Sequence, residues 1–385
     1  GLGDVYKRQH LIVRVFDLIQ KFARFLMIFG LPDYINLFLR NDNMFGYDLG
    51  IDFGTSSLVI SVPGKGVVVN EPSYVAYDTE TEKMLYAGRR AYYLEGREPS
   101  GISVIQPIAG GAITNYSIAV QMVRFFINKI IKKSIFKPRV VAAVSALATD
   151  VERRTIISVM ISAGARSVCL VEEPLCAAFG AGVDPLQPTG AFVIDIGGGT
   201  TDMAVISQGS MSQVDTVRVA GNRFDDEIAK YMREKYGILI GKRMSEEIKN
   251  RIGGAVEREE DVSMQAKGRD MFSGMPCVVE ITGNEIYECL KPLFEELTDA
   301  ARVIFERTTP QIVADVTNSG IIITGGCSEI YGIDKLFSNA LGLDVSIAPR
   351  AELCVSKGAM IALNKMHILD QYGYRFQTKQ DVRIR

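Results

Sequence analysis

The sequence predicts a two-lobed α/β protein in which a duplicated unit encloses a ligand cleft, and three observations predict it. The first is a near-repeat. Asp48-Leu49-Gly50-Ile51-Asp52-Phe53-Gly54-Thr55 and Phe192-Val193-Ile194-Asp195-Ile196-Gly197-Gly198-Gly199-Thr200-Thr201-Asp202 each run an apolar strand into Asp, then Gly, then Thr. Each then resumes a strand, at Leu58–Val62 and at Met203–Ile206. One such hairpin is an ordinary turn with glycine where positive φ is required. Two of them, about 140 residues apart, indicate a duplication whose hairpins face one ligand. The second observation is strand–helix alternation through the chain, which implies a sheet with helices on its faces. The third is size: 385 residues at 47% hydrophobic content exceed one domain and supply a substantial core.

Taken in order, 47–69 reads as strand, hairpin, strand, with turn signals at Pro63-Gly64 and Lys65-Gly66. Residues 114–133 carry apolar side chains at helical spacing behind a Thr114 N-cap. Val140–Val144 is a buried type of strand, and Asp150 opens a helix that ends at Gly164. Ser167–Val171 is the next strand, and Pro174 marks the first turn of a helix over Glu173–Ala181. The first lobe is thus expected over 44–189 and the second over 190–366. Within the second, an inserted subdomain is expected at about 226–300. Its helices read as Asn222–Tyr236, Ser245–Ile252 and Ile286–Thr308, around a charged, strand-like stretch at 253–283. Gly320–Thr324 is a buried strand, Cys354–Leu363 a closing helix, and 367–385 a polar tail expected to be mobile.

Composition narrows the function classes. A net charge of −2 opposes a nucleic-acid binder working through bulk electrostatics. Six cysteines form neither a C-x-x-C pair nor metal-ligand spacing, and read as buried thiols of a reducing compartment. Only two histidines are present, which argues against histidine-based nucleophilic catalysis. Gly1–Gln9 resembles a translated cloning scar, and 1–43 is expected to be non-native or upstream sequence, with Met44 as the true start. Arg14, Asp17, Lys21 and Arg24 interrupt the apolar run there, which disfavours a spanning helix. Leu26-Met27-Ile28-Phe29 still suits a membrane interface.

The doublet suits a nucleotide. Glycines let backbone N–H groups approach phosphate, Thr and Ser hydroxyls donate, and Asp52 and Asp195 can hold Mg²⁺ through water. Asp52 has a second reading as a turn cap. Glu173 has one as an acid favourable to a helix dipole, and Glu172 competes with it for any role in the cleft. Lys132-Lys133-Ser134-Ile135-Phe136-Lys137 sets an apolar pair in a basic cluster, which suits insertion of Ile135 and Phe136 into an anionic bilayer beside Lys132, Lys133 and Lys137. The other reading tucks both side chains against the neighbouring strand.

With these motifs the chain resembles the actin–sugar kinase–heat-shock chaperone superfamily, and within it the MreB-like bacterial actins, from about Met44 to Leu369. Supporting stretches include Asn70-Glu71-Pro72-Ser73, Val151-Glu152-Arg153-Arg154, Glu172-Glu173-Pro174, Ala220-Gly221-Asn222 and Ile323-Thr324-Gly325-Gly326. The resemblance implies an actin-like fold of two RNase H-like domains that binds ATP and Mg²⁺ between its lobes. Asp52, Asp195 and Thr200 would serve the metal and phosphates, and Glu173 would orient the attacking water. Gly54, Thr55, Ser56 and Ser57 would clamp phosphate together with Gly197, Gly198, Gly199 and Thr201. Gly325, Gly326, Cys327 and Ser328 would support one face of adenosine and Glu246, Glu247, Ile248 and Lys249 the other. Without the resemblance, that last stretch is an ordinary solvated helix face.

The implied function is a slow ATPase that polymerises into filaments on the inner face of the cytoplasmic membrane. There it would meet anionic lipid and the membrane proteins of cell-wall synthesis and shape determination, setting rod shape. The chain departs from the family pattern at Ser56-Ser57, at Gly110 and Asn115, at Asp202 and at Cys327, which leaves a non-hydrolysing filament scaffold as the alternative. A small-molecule kinase is a weaker one, since no segment offers an acceptor site. A chaperone would need a peptide-binding domain after the ATPase.

Overall fold

The computed structural model describes residues 47–131 and 136–383. Strands β1 (Asp48–Phe53), β2 (Ser57–Val62) and β3 (Gly66–Pro72) form an antiparallel meander. Gly64 and Gly66, with φ of 75° and 69°, make its second turn. A small sheet follows, from β4 (Val75–Asp78), β5 (Met84–Ala87) and β6 (Ile102–Ile105), with the short helix α1 (Arg89–Tyr92) beside it. After the ribbon of β7 (Ile108–Ala109) and β8 (Ala112–Ile113) come α2 (Tyr116–Ile131), β9 (Arg139–Val144), α3 (Asp150–Ala163), β10 (Ser167–Glu172) and α4 (Glu173–Ala181). β9 pairs parallel with β1, and β10 with β9, so the main sheet runs β10-β9-β1-β2-β3.

The second unit repeats that plan. β11 (Ala191–Ile196), β12 (Thr201–Ser207) and β13 (Ser210–Val217) form its meander. Helix α5 (Gly221–Tyr236), β14 (Ile238–Leu239), α6 (Lys242–Ile252), β15 (Ser263–Asp270), β16 (Pro276–Thr282) and the long α7 (Gly283–Glu306) come next. Then α8 (Pro310–Ser319), β17 (Ile321–Thr324), α9 (Ile333–Leu341) and β18 (Val345–Ile347) complete a sheet of order β13-β12-β11-β17-β18. β17 is parallel to β11 and β18 to β17. The two sheets share one topology, as a duplicated hairpin demands.

Helix α10 (Cys354–Asn364) lies with α4 between the two sheets. Val141, Val171, Leu175, Phe179, Val193, Ile206, Val355 and Ala359 are buried there in one cluster. The two helices cross at glycines: a Cβ on Gly180 would overlap the Cys354 carbonyl, and one on Gly358 the Cys176 carbonyl. Ser61 and Ser356 bond across 2.6 Å, and Met360 N stands only 2.5 Å from where a Gly50 Cβ would lie. The helix read as closing the second lobe therefore seats against the first sheet.

Local signals explain the elements that follow the sequence closely. Thr149 and Glu152 form a capping box at α3, which ends at Gly164, and Thr282 and Glu285 form another at α7. Helix α2 departs from expectation. Asn115 is its cap, accepting from Ile118 N at 3.0 Å, while the Thr114 hydroxyl donates to Gln106 O. The tail also differs. Gln377–Thr378 pairs antiparallel with β10, and the Tyr374 hydroxyl donates to Glu172 at 2.7 Å, so this segment docks on the first sheet. The cysteines are all free thiols; Cys169, Cys176, Cys327 and Cys354 are buried, but Cys277 and Cys289 only partly so.

Candidate functional site

The two Gly-Thr hairpins meet across a cleft of about 220 Å³. They close identically: Gly54 N donates to Ser57 O and Gly197 N to Thr200 O, each at 3.0 Å. Their carbonyls are then bonded from behind. Ser73 Oγ donates to Gly54 O, Gln106 Nε2 to Thr55 O and Ser73 N to Ser56 O. Gly221 N and Asn222 N donate to Gly197 O and Gly198 O. With these acceptors taken, the loops offer a ligand N–H and hydroxyl donors, the arrangement that receives phosphate. The glycines are required by the approach of the lobes: a side chain on Gly198 would overlap the Ser56 hydroxyl, and one on Gly199 the Thr55 hydroxyl.

Acids stand behind the hairpins. Burial pushes Asp52 up to about 7, and the nearby Asp195 adds to the shift. Burial likewise pushes Asp195 up to about 7, against the hydroxyl of Thr324, which donates to Asp195 Oδ1 at 2.5 Å. Two carboxyls so disfavoured as anions need a cation to ionise together. Among the described residues no group of three or more His, Cys, Asp or Glu side chains is placed to hold a metal directly. Asp52 and Asp195 are hard oxygen donors lining one cleft from the two hairpin strands, a set that suits an ion such as Mg²⁺ held partly through water.

Glu172 and Glu173 divide cleanly. Glu172 is buried on the far side, where Arg153 pairs with it at 2.9 Å and Tyr374 donates to it. Glu173 lines the cleft with Asp52 and Asp195. Burial, then the charges of Asp202, Asp52 and Asp195, raise its carboxyl well above the usual range.

At the other end Gly325, Gly326 and Cys327 line the cleft opposite Glu246 and Lys249. Lys249 is buried and paired with Asp225 at 2.9 Å, so its charge is already matched. Glu246 accepts from the Tyr92 hydroxyl across the lobes at 2.6 Å. Four expected residues are not brought to the cleft. Glu247 pairs with Arg251 at 3.1 Å, and Ile248 is buried in the second lobe's core. The Thr201 hydroxyl donates to Val219 O and the Ser328 hydroxyl to Gly325 O. Conversely, Gly111, Ser145, Asn250 and Glu352 line the cleft without having been expected there. Of these, only Gly111, the second glycine of the Gly110-Gly111 pair, left a signal in the sequence.

Of the basic–apolar segment, Lys132, Lys133 and Ile135 lie outside the described residues, as does the leader 1–43. Phe136 is partly buried and Lys137 exposed. No helix among the described residues is long and apolar enough to cross a membrane.

Comparison with known proteins agrees with this geometry. The model of the MreB/Mbl protein family matches residues 46–371. The cell shape-determining protein Mbl of Bacillus cereus is 40% identical over 333 residues, covering 86% of this chain and 100% of that protein. The cell shape-determining protein MreB of Escherichia coli K12 is 37% identical over 336 residues, covering 86% and 96%. The crystal structure of MreB5 of Spiroplasma citri bound to ADP superposes with a TM-score of 0.80 at 34% identity, covering 85% and 98%. The same protein bound to AMPPNP gives 0.80 at 35%, covering 85% and 99%. The MamK double helical filament, at 17% identity and a TM-score of 0.70 over 83% and 98%, shares the actin-like fold. Twin hairpins, twin sheets and these likenesses agree, and the chain belongs to the MreB/Mbl family.

Proposed function

We propose that this chain is a slow ATPase whose nucleotide state controls assembly into filaments on the inner face of the cytoplasmic membrane, where they organise cell-wall synthesis and set rod shape. The observation that carries the reading is the meeting of two donor-lined hairpins and three acids, Asp52, Asp195 and Glu173, around one cleft. Donors from both lobes on one phosphate chain would hold the lobes closed, and loss of the terminal phosphate would release them. Gly54, Thr55, Ser56 and Ser57 would grip it from one side and Gly197, Gly198, Gly199 and Thr200 from the other. Asp52 and Asp195 would hold hydrated Mg²⁺, which supplies positive charge against the phosphates. Glu173 would orient water toward the terminal phosphate.

Self-association is supported by the family. Contact with anionic lipid would come from the segment that holds Phe136 and Lys137, and contact with shape-determining membrane proteins would follow from that location. The test combines phosphate release from Mg-ATP with sedimentation and electron microscopy on anionic vesicles. Vesicle-bound filaments with slow release support the proposal. Filaments without release leave the non-hydrolysing scaffold, and ATP consumption that depends on a small acceptor would instead mark a kinase.

A further inference from the structure

Asp202 follows the second hairpin, opposite Asp195 across β11 and β12, and does not line the cleft. It is fully buried in β12, yet its contacts reach across to the first lobe. The Ser145 hydroxyl and the Ala146 amide, just beyond β9, donate to Asp202 Oδ1 at 2.8 and 2.9 Å. From the second lobe the Thr216 hydroxyl donates to the same oxygen at 2.8 Å. The other oxygen, Oδ2, is buried with no N–H or hydroxyl donor. Glu173 stands near this socket: Glu172 pairs with Val144, the residue before Ser145. After burial, the Asp202 carboxyl is the largest of the neighbouring charges that raise Glu173.

From this socket we infer that Asp202 is a positioning residue that crosses the lobes and ties the orientation of Glu173 to their closure. The socket's first-lobe groups are the Ser145 hydroxyl and the Ala146 amide, and its occupant is a second-lobe carboxylate. With the lobes together, Oδ1 is fixed by three donors, which sets the Asp202 carboxyl beside Glu173 at the cleft wall. Rotation of the lobes apart withdraws Asp202, and Glu173 loses the neighbouring carboxyl that sets its direction. A misplacement of about 1 Å in a group that orients a reactant can cost about a hundredfold in rate, so the link makes turnover depend on closure. The inference rests on the role of Glu173 proposed above and adds the residue through which the other lobe acts on it.

The test uses the whole chain with Mg-ATP and the variants Asp202→Ala, Asp202→Glu, Glu173→Ala and the double Asp202→Ala/Glu173→Ala. Asp202→Ala is expected to lower phosphate release at least about tenfold while nucleotide affinity stays within about threefold, because it acts beside the cleft rather than in it. In the Glu173→Ala background the same change should alter release by less than about twofold, since residues acting through one another are not additive. Asp202→Glu, which keeps the acid, should recover part of the rate. A second readout does not depend on turnover: hydrogen exchange at the Ala146 amide should rise at least about tenfold in Asp202→Ala. Equal losses in both backgrounds would overturn the inference, as would an unchanged Ala146 exchange rate. If Asp202→Ala fails to fold, Ser145→Ala removes one first-lobe donor, and the Ala146 exchange rate is read in it instead. If the unmodified chain releases no phosphate, the ATPase reading falls, and the Ala146 exchange still decides whether Asp202 bridges the lobes.

Discussion

Glu172 and Glu173 are neighbours at one strand end and face opposite sides of the first sheet. Glu172 takes Arg153 and Tyr374, and Glu173 takes the cleft. Two substitutions should therefore separate cleanly. Glu173→Ala is expected to keep nucleotide binding and lower phosphate release about a hundredfold. Glu172→Ala removes the Arg153 ion pair and the Tyr374 acceptor but leaves Arg153 bonded to Ala146 O and Ala148 O. It is therefore expected to cost about 1–3 kcal/mol of stability, with nucleotide affinity little changed. Thermal melting beside a phosphate-release assay reads both, and unchanged release in Glu173→Ala would remove it from the mechanism.

The Asp52–Asp195 pair gives a pH dependence. Both acids titrate near 7 in the folded cleft against an ordinary 3.8, so the folded chain holds protons that the unfolded chain has already released. Their contribution to stability therefore falls as pH rises from about 4 to about 7 and levels off above. Added Mg-ADP should raise the melting temperature more at pH 8 than at pH 5, and Asp52→Asn should flatten the difference. A nucleotide-free melting temperature that does not change between pH 5 and 8 in both forms would contradict the pairing.

The crossing of α4 and α10 is set by backbone contact. Gly180→Ala or Gly358→Ala pushes a methyl into the carbonyl of Cys354 or Cys176, with an expected loss of about 1–3 kcal/mol from overpacking. Denaturant unfolding measures it, and wild-type stability in both variants would mean that the helices slide freely past one another.

At the outer rim the lobes are latched. Arg243 lies 5.3 Å from the Tyr92 ring and 5.2 Å from the Tyr93 ring, while Tyr92 donates to Glu246 and Lys242 donates to Gln106 at 2.7 Å. Tyr92→Phe deletes one charge-assisted hydrogen bond across the opening, which at about 1.5 kcal/mol predicts about tenfold faster nucleotide release. Chasing a fluorescent nucleotide with excess ATP gives the rate, and an unaltered rate would show that opening does not pass through this latch.

How far the sequence reached depended on whether a signal was local. Helices α3 and α4 have their stated limits because Thr149, Gly164, Pro174 and Gly182 are punctuation in the chain itself. The small sheet of β4, β5 and β6 went unread, because its strands are four residues each and their apolar faces are brief. The stretch Glu246–Lys249 was assigned whole to one ligand, yet successive helical residues turn by about 100°. Only Glu246 and Lys249, three apart, can share the cleft face. Ser145 and Glu352 reach the cleft from remote segments that carry no motif, so only the assembled lobes reveal them.

The return of α10 and the 377–378 strand to the first sheet bears on how the chain is made. Ser61 meets Ser356 across 295 residues of sequence, and β10 waits for Gln377 before its outer edge is paired. Contacts so distant in sequence form late, after their loop-closure entropy has been met. On the ribosome, the first lobe therefore emerges early but stays unfinished until the whole second lobe has been synthesised, with an open strand edge throughout. The start of that edge, Ser167 and Val168, is thus among the last backbone of the first lobe to find its partner.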